Sequence, residues 1–335
     1  MSLILPLLLS IALTPKPVLV ERAFFVMGTV IEFRLYCQTK ELCNEAIFDA
    51  YSEVKRLDDM LSNYKTDSNL SLVNSQAGKG RIKVPSEFIE LTERAVYFSN
   101  LTEGAFDITV GELIDLWRKS QQKDNMPDEE AIKRTVSECV GSKKISLYPG
   151  EKEIQLKSSC LSIDFGGIGK GYAVDRALKI LKAKGIESGV INFSGNIYAI
   201  GSPPGEEGWT IAIRHPRMKD EALTFIKVRD MAVSTSGDYE RYFEINGKRF
   251  SHIIDPRTGY PVESVPSVTI IAENATDADA LSTAVSVMGR EKSVEVLEKL
   301  KRVGAIIVTG HKGNLSIYKD SFFKGFEIPE LGSLQ

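Results

Sequence analysis

The 335-residue sequence lacks a strong net charge, internal repeats, low-complexity tracts and long linkers. Its formal net charge is −3, so no basic surface is implied and nucleic acid is not an expected partner. Beyond the N-terminus, no stretch is long and apolar enough to cross a bilayer. Since 43% of the residues are hydrophobic and 26% are charged, the composition is that of a globular protein that can bury a large core.

Cysteine is also scarce, and its positions match no common metal-binding pattern. Cys37, Cys43, Cys139 and Cys160 form no CxxC pair and no zinc-ligand spacing. Cys37 and Cys43 flank a predicted strand-to-helix junction, so they could form a disulfide in an exported protein. Buried thiols are the simpler expectation for the cysteines.

The N-terminus begins with an apolar run, LILPLLLSIAL, at residues 3–13. It is too short to span a membrane but fits the core of a signal peptide, with Ser10-Ile11-Ala12 as a small-x-small cleavage site. No Lys or Arg precedes it. We therefore expect an N-terminal segment over 1–20, one domain over 21–330, and an exported protein, either periplasmic or on the outer face of the cytoplasmic membrane.

The hydrophobic pattern predicts an α+β fold of mixed sheets with flanking helices. Helical spacing is found at 39–62, 86–100, 127–139, 276–288, 290–301 and in a segment that ends at Gly185. Strand patterns are found at 24–36 with a break at Gly28, 144–148, 153–156, 189–201, 209–216, 267–273, 304–309 and 314–318. Residues 61–74 are expected to form a polar loop, and 241–250 a hairpin that turns at Asn246-Gly247. Hairpins mixed with strand–helix pairs are typical of α+β proteins.

A glycine-rich stretch, DFGGIGKGYAVD at 164–175, is predicted to join a strand to a helix. Glycines there allow the backbone to approach a ligand, the helix N-terminus favours phosphate, and Lys170 adds a positive charge. Neither standard nucleotide motif is present, because Gly171 replaces the Ser or Thr of a P-loop and Tyr172 breaks GxGxxG. A tight turn without a ligand therefore remains an alternative.

A second stretch, ATDADALSTAVSVMG at 275–289, predicts a helix with Asp279 and Thr283 one turn apart and Ser282 beside them. One carboxylate and one hydroxyl make a sparse oxygen site of the kind that suits Mg²⁺, which completes its shell with water and phosphate oxygens. The alternative is a capping Asp and a Thr bonded to its own helix.

The third stretch, SHIIDPRTGYP at 251–261, contains one of only three histidines. The Pro and Gly force a turn, so His252 is expected at the end of a strand that leads into a rigid loop. An imidazole can accept a proton from a hydroxyl nucleophile, although a lone His is more often structural. Together the three stretches indicate a metal-assisted reaction at a phosphate with one available base, but they do not identify the ligand.

Seven collinear stretches resemble the signatures of the ApbE family, the flavin transferases of the FAD:protein FMN transferase type. The resemblance runs from about residue 24 to about residue 320. The stretches are VMGT (26–29), LSNYKTDS (61–68), GAFDITVG (104–111), DFGGIGKGYAVD (164–175), VSTSGDYER (233–241), HIIDPRTG (252–259) and DALSTAVSVMG (279–289).

The resemblance implies a T-fold-like α+β enzyme that binds FAD with Mg²⁺ and transfers FMN to a Thr or Ser hydroxyl of an acceptor flavoprotein, releasing AMP. The acceptor would carry a D-x-x-[ST]-G-A-[ST]-like segment, and membrane association would come through this target or the N-terminus. By position, the resemblance implies a flavin and adenosine pocket lined by Met27, Tyr64, Ala105, Phe106 and Asp107. It implies nucleotide contacts from Asp164, Lys170 and Ile253. The implied metal ligands are the Gly167 carbonyl, Asp279 and Thr283, and the implied general base is His252.

This chain departs from the family pattern at three points. Ser194 occupies a position where Gly is common, Ser282 occupies one where some members carry a second Asp, and no Cys follows the apolar run to accept a lipid. Two other functions remain alternatives. A Mg²⁺-dependent FAD pyrophosphatase, in which water replaces the acceptor hydroxyl, would use every residue named here, and the sequence does not separate it from the transferase. The other alternative is a protein that only stores FAD. Storage needs no base, so the combination of Asp279, Thr283 and His252 favours catalysis.

Overall fold

The computed structural model describes residues 16–239, 242–311 and 314–328. The apolar run at 3–13 lies outside these residues. The first strand begins at Val18, before residue 21, where we expected the domain to start. Within the described residues, no helix has the length and apolar character needed to cross a membrane.

The fold is α+β, as predicted, and antiparallel pairing dominates it. The strands are β1 (Val18–Val26), β2 (Thr29–Cys37), β3 (Arg81–Lys83), β4 (Ile145–Tyr148), β5 (Glu153–Leu156), β6 (Ser188–Phe193), β7 (Asn196–Ile200), β8 (Trp209–Arg214), β9 (Ala222–Val228), β10 (Met231–Gly237), β11 (Tyr242–Ile245), β12 (Lys248–Ser251), β13 (Ser267–Ala272), β14 (Gly304–His311) and β15 (Asn314–Lys319). The helices are α1 (Lys40–Leu61), α2 (Asn69–Ser75), α3 (Ser86–Leu101), α4 (Gly111–Gln122), α5 (Glu129–Cys139), α6 (Gly169–Ala183), α7 (Ala275–Leu297) and α8 (Ser321–Lys324).

The main element is an eight-stranded antiparallel sheet in the order β1-β2-β6-β7-β10-β13-β14-β15. Two of its hairpins turn on residues with positive φ: Met27 (50°) with Gly28 (71°), and Ser194 (49°) with Gly195 (87°). Such turns match the right-handed twist of the strands. The left-handed backbone at Ser194 explains why Gly is common at this position, since Gly adopts that conformation without steric penalty.

One face of the main sheet is covered by α1, α6 and α7, which enclose the largest hydrophobic core. The α6–α7 contact is very close at Gly171. A Cβ at this position would lie 2.2 Å from the carbonyl oxygen of Ala275 and 2.7 Å from the Cβ of Asp279. Only glycine therefore allows the two helices to approach to this distance.

Three smaller sheets accompany the main sheet: the three-stranded sheet β3-β5-β4 and two hairpins. The β8–β9 hairpin packs on the other face of the main sheet around Trp209 and Phe323. The β11–β12 hairpin packs with α4 and α5 around Trp117, whose indole Nε1 donates to the carbonyl of Gly259 at 2.8 Å. The unit formed by β11–β12, α4 and α5 places the His252 loop beside the end of the main sheet.

All four cysteines form disulfides, so the expectation of buried thiols is wrong. Cys37 pairs with Cys43, and Cys139 pairs with Cys160, with Cα–Cα distances of 5.7 and 5.1 Å. The first pair joins β2 to α1 across six residues. The partners of the second pair are 21 residues apart and meet only because the end of α5 folds back onto residue 160.

The remaining secondary-structure predictions are mostly confirmed, and the errors have local causes. The strands predicted at 24–36 and 189–201 are in fact hairpins, because complete turns form at Gly28 and at Ser194-Gly195. The strand predicted before the glycine-rich loop is an extended segment with a single bridge between Val110 and Ser162. The polar loop at 61–74 contains most of α2, which Ser68 caps. The sequence pattern did not predict β3, β9, β10, α4 and α8. The predicted boundary near 289 is a kink in α7 at Gly289 (φ 69°).

We expect Gly171→Ala to lower the free energy of unfolding by about 1–3 kcal/mol, because the added methyl group overlaps the backbone of α7. Gly150→Ala is the matched control. Apart from its two chain neighbours, no atom of the described residues lies within 4 Å of the point that its added methyl group would occupy, and its φ is not in the left-handed region. Urea unfolding of both variants measures the difference. Equal stability of the two variants would contradict the close α6–α7 contact.

Candidate functional site

A cleft of about 540 Å³ opens between one end of the main sheet and the α4/β11–β12 unit. This volume is within the usual range for small-molecule sites. All the predicted site residues except Met27 line it. The cleft is lined by Gly28, Thr29, Tyr64, Ala105, Phe106, Asp107, Ile108, Val110, Ile114, Arg118, Gln121, Asp164, Gly166, Gly167, Lys170, Ser194, Asn196, Thr235, Ser236, Gly237, Tyr242, Phe243, His252, Ile253, Ile254, Pro256, Asp279 and Thr283.

The three predicted metal ligands meet where α7 crosses the glycine-rich loop. Asp279 is only 3% exposed, and its Oδ2 accepts a hydrogen bond of 2.9 Å from the Gly171 amide. A Cβ on Gly167 would lie 3.1 Å from the Thr283 hydroxyl oxygen, so that backbone lies against the threonine. The Thr283 hydroxyl makes no hydrogen bond to any described residue. A buried carboxylate beside an unpartnered hydroxyl fits a hard cation.

No group of three or more His, Cys, Asp or Glu side chains that could hold a metal occurs in the described part of the chain. A cation at Asp279 and Thr283 would therefore need further oxygen ligands from backbone, water or substrate. Mg²⁺ is the common biological cation that binds in this way, with few protein ligands and several waters or phosphate oxygens.

Lys170 lies at the first turn of α6, beside the same group. Its ammonium nitrogen is 3.9 Å from Asp279 Oδ1 and 3.3 Å from the Gly166 carbonyl oxygen. The dipole at the N-terminus of α6 and this ammonium group both favour an anion. The predicted phosphate-binding end of the cleft therefore has the positive charge that we expected from Lys170 and the helix N-terminus.

Asp164 precedes this loop and shapes it. Its Oδ1 accepts from the Gly166 amide at 2.6 Å, and its Oδ2 accepts from the side-chain amide of Asn63 at 2.7 Å. Burial raises the pKa of Asp164 above its ordinary value, although the Gly166 amide and the charge of Arg118 act in the opposite direction. The carboxyl group thus holds the glycine-rich loop in a turn and presents its remaining surface to the cleft.

His252 directly follows β12, as the sequence predicts, and its loop is strongly held. The Asp255 amide donates to the Tyr260 carbonyl at 2.9 Å, and the Gly259 amide donates to the Asp255 carbonyl at 2.8 Å. Ile253, which is buried beside the histidine, accepts from the Val262 amide at 2.8 Å through its own carbonyl. The backbone on both sides of the imidazole is therefore fixed.

Asp107 lines the cleft, but its carboxylate is used inside the protein. Oδ1 accepts from the amide and hydroxyl of Thr109, and Oδ2 accepts from Ser99 Oγ and the Ser142 amide. These bonds fix the loop that carries Ala105 and Phe106, so any contact of this segment with a ligand depends on the backbone and on Phe106.

Of the predicted pocket residues Tyr64 and Met27, only Tyr64 lines the cleft. Tyr64 is 81% exposed at the edge of the cleft, where its ring offers a flat surface to a planar ligand. Met27 does not line the cleft; it packs against the main core, and its neighbours Gly28 and Thr29 line the cleft instead.

The family model that matches this sequence is that of the ApbE family, over residues 27–307. The chain belongs to the ApbE family. A FAD:protein FMN transferase of Treponema pallidum is 33% identical over 304 residues, which cover 86% of this chain and 84% of the relative. A protein of the same name from Haemophilus influenzae is 32% identical over 287 residues, which cover 83% of this chain and 82% of the relative.

Solved structures agree with this assignment. An ApbE protein from Thermotoga maritima matches with a TM-score of 0.84 and 34% identity, over 92% of this chain and 99% of that chain. The flavin transferase ApbE from Vibrio cholerae matches with a TM-score of 0.81 and 29% identity, again over 92% and 99%.

The sequence patterns did not predict several of the residues that line this ApbE cleft. Val110, Ile114, Arg118 and Gln121 form one stripe along α4, and its helical spacing was the available signal. Arg118 contacts Tyr64, with 3.4 Å between the guanidinium and the phenol oxygen. Thr235 and Ser236 come from β10, a strand that the sequence pattern did not predict.

Ser282, at the position where some ApbE proteins carry a second Asp, is fully buried. Its hydroxyl lies 2.7 Å from Ser236 Oγ and donates to the Asp279 carbonyl at 2.9 Å. Ser282 therefore joins α7 to β10 rather than lining the cleft.

The N-terminus of α7 is held in place by two acidic side chains. Asp175 of α6 accepts hydrogen bonds from the amides of Ala275 and Thr276, each 2.8 Å long, and from the Thr276 hydroxyl. Asp277 forms a two-pronged ion pair with Arg94 of α3. Burial raises the pKa of Asp175 to about 6, despite the hydrogen bonds that lower it.

This raised pKa predicts a pH-dependent stability. Below about pH 4 Asp175 is protonated in both the folded and the unfolded protein, so its raised pKa contributes stability there, and the contribution is lost as the pH rises through about 6. Relative to Asp175→Asn, which does not titrate, we expect the free energy of unfolding of the wild type to fall by up to about 3 kcal/mol over this range. Urea unfolding at several pH values measures it, and a constant difference would contradict the shift.

Proposed function

We propose that this protein transfers FMN from FAD to a Thr or Ser hydroxyl of an acceptor flavoprotein and releases AMP, in a reaction that depends on Mg²⁺. One observation carries the proposal: a single cleft contains both the Asp279–Thr283–Gly167 group and the imidazole of His252. The names of the relatives in Treponema pallidum and Haemophilus influenzae support the same activity.

FAD would bind with its pyrophosphate at the N-terminus of α6. The Lys170 ammonium and the dipole of the helix offer positive charge there, and Gly166 and Gly167 line the cleft beside them. Tyr64, Phe106 and Ile253 offer aromatic and apolar surface for the ring systems.

Mg²⁺ would be held by the Asp279 carboxylate, the Thr283 hydroxyl and the Gly167 carbonyl. When bound, it would neutralise charge on the pyrophosphate and on the leaving phosphate. The fit rests on the buried carboxylate and the unpartnered hydroxyl of α7. Asp279 also keeps its hydrogen bond to the Gly171 amide, so the carboxylate is oriented before any ligand arrives.

In the proposed step, the acceptor hydroxyl oxygen attacks the phosphorus of the FMN half. A P–O bond to FMN forms, and the P–O bond to the AMP phosphate breaks, so AMP leaves with its phosphate. His252 accepts the hydroxyl proton, and its fixed loop keeps the imidazole in position for that transfer. The acceptor would present its Thr or Ser within a D-x-x-[ST]-G-A-[ST]-like segment.

We also propose that the protein acts outside the cytoplasm. Two disulfides in one chain favour an oxidising compartment. The apolar run at 3–13 supports export in the manner of a signal peptide. Association with the membrane would then come through the acceptor or through this segment.

Intact mass spectrometry of a candidate acceptor domain tests the activity. The acceptor is incubated with this protein, FAD and Mg²⁺, and a parallel sample contains EDTA. We expect the acceptor to gain the mass of one FMN only when Mg²⁺ is present. An unmodified acceptor with free FMN and AMP in solution would indicate a pyrophosphatase instead, and unmodified acceptor with intact FAD would indicate storage for that acceptor.

His252→Ala is expected to retain FAD binding but to lose roughly 10²–10⁴-fold in transfer rate, because a general base acts in the transition state. His215→Ala is the matched control, since His215 accepts amide hydrogen bonds from Arg217 and Met218 and does not line the cleft. Transfer by His252→Ala at the wild-type rate would exclude His252 as the base.

Asp279→Asn is expected to abolish the response to Mg²⁺ while the fold remains intact, because the amide oxygen can still accept from Gly171. The measurement is a Mg²⁺ titration of the transfer rate, together with the shift in melting temperature that Mg²⁺ produces in the presence of FAD. An unchanged titration midpoint would remove Asp279 from the metal site.

A further inference from the structure

Two short segments run side by side in the wall of the cleft. Residues 107–111 lead into α4, and residues 160–164 lead into the glycine-rich loop. The Asp164 amide donates to the Ile108 carbonyl at 2.7 Å, and the Gly111 amide donates to the Ser162 carbonyl at 3.0 Å. A Cβ on Gly111 would lie 2.5 Å from Ser162 Oγ, so the two backbones are in close contact. Asp107 and Asp164 therefore share one small two-segment unit.

The first segment is attached to residues just after α5, and the second to the last residue of α5. Residues 141 and 142 hold the first segment, through the Gly141 amide to Thr109 Oγ1 at 2.7 Å and the Ser142 amide to Asp107 Oδ2 at 2.8 Å. The second segment is attached by the Cys139–Cys160 disulfide. The disulfide thus closes a ring of covalent and hydrogen bonds, and Asp164 lies four residues beyond its second cysteine.

The two disulfides differ in their exposure and in their distance along the chain from the site. Cys37 and Cys43 are 5% and 0% exposed and join β2 to α1. Cys160 is partly exposed, although its partner Cys139 is buried. Since a thiolate must reach a sulfur atom to exchange with it, the Cys139–Cys160 bond is the more accessible of the two.

We propose that the Cys139–Cys160 disulfide is a redox-sensitive positioning bond for the nucleotide end of the cleft. A dithiol reductant would supply two electrons and two protons, convert the disulfide into two thiols, and become a disulfide itself. The ring would then open, and residues 160–164 would keep only hydrogen bonds to their neighbours. Asp164 and the turn it stabilises would lose part of their preorganisation, so FAD would bind less tightly.

This inference uses the proposed function only for its ligand, and its first measurement does not depend on FAD. Hydrogen–deuterium exchange is followed at the amides of Gly111 and Asp164 in three samples: the oxidised wild type, Cys139→Ser/Cys160→Ser, and the control Cys37→Ser/Cys43→Ser. We expect exchange at the two amides to be roughly tenfold faster in Cys139→Ser/Cys160→Ser than in the other samples, while amides of β10 and β13 stay protected.

A second measurement addresses function. FAD affinity, from quenching of flavin fluorescence well below the melting temperature, is expected to fall roughly threefold in Cys139→Ser/Cys160→Ser and in dithiothreitol-treated wild type. Reoxidation of the treated wild type should restore its FAD affinity. During reduction of the wild type, an alkylating reagent should label Cys139 and Cys160 before it labels Cys37 and Cys43. Cys37→Ser/Cys43→Ser, kept oxidised, should bind FAD with wild-type affinity.

The outcomes separate the two proposals. Unchanged exchange at Gly111 and Asp164 after loss of the Cys139–Cys160 bond would overturn the positioning proposal, as would equal effects of the two double variants. Prior labelling of Cys37 and Cys43 would overturn the redox selectivity. Failure of the oxidised wild type to bind FAD would instead reject the proposed function and leave the exchange result to decide the role of the disulfide.

Discussion

The close packing of α6 against α7 at Gly171 is the contact on which the site depends. Because residue 171 has no side chain, the backbone of α6 can donate a hydrogen bond directly to the Asp279 carboxylate of α7. The same contact sets the glycine-rich loop, at the start of α6, against Thr283, one turn further along α7. A polar site is thereby built from two helices that otherwise bury apolar faces in the main core. Asp175, also on α6, and Arg94 of α3, through its pair with Asp277, fix the start of α7.

The rest of the cleft is rigid because its buried polar groups have partners. Asp107 uses both carboxylate oxygens to hold its own loop, and the loop after His252 is closed by backbone hydrogen bonds and by Trp117. A buried polar group without a partner is costly, so each of these networks resists rearrangement. The Thr283 hydroxyl is different, since it faces the cleft and has no partner among the described residues. That contrast separates a residue available to a ligand from residues that support the structure.

Much of the fold could be predicted from the sequence, for identifiable reasons. The apolar faces of α1, α3, α5 and α6 follow the helical repeat, and the Asn246-Gly247 turn between β11 and β12 has a local signature. The errors occurred where local pattern is weak. Segment β9 alternates irregularly, β10 is rich in small polar residues, and α2 lies within a polar stretch. The disulfide between Cys139 and Cys160 depends on the path of the chain between them, which cysteine spacing does not encode.

The sequence by itself determined the chemical groups available: one candidate base, one Asp–Thr pair at helical spacing, and a glycine-rich turn followed by Lys170. These are local properties, because residue type and short-range spacing define them. Only the tertiary structure decided which groups meet. It placed His252 and Asp279 in one cleft, kept Met27 out of its lining, used the Asp107 carboxylate internally, and brought in Arg118 from α4. Packing between segments far apart in the chain sets these arrangements, and a single sequence carries no direct record of such contacts.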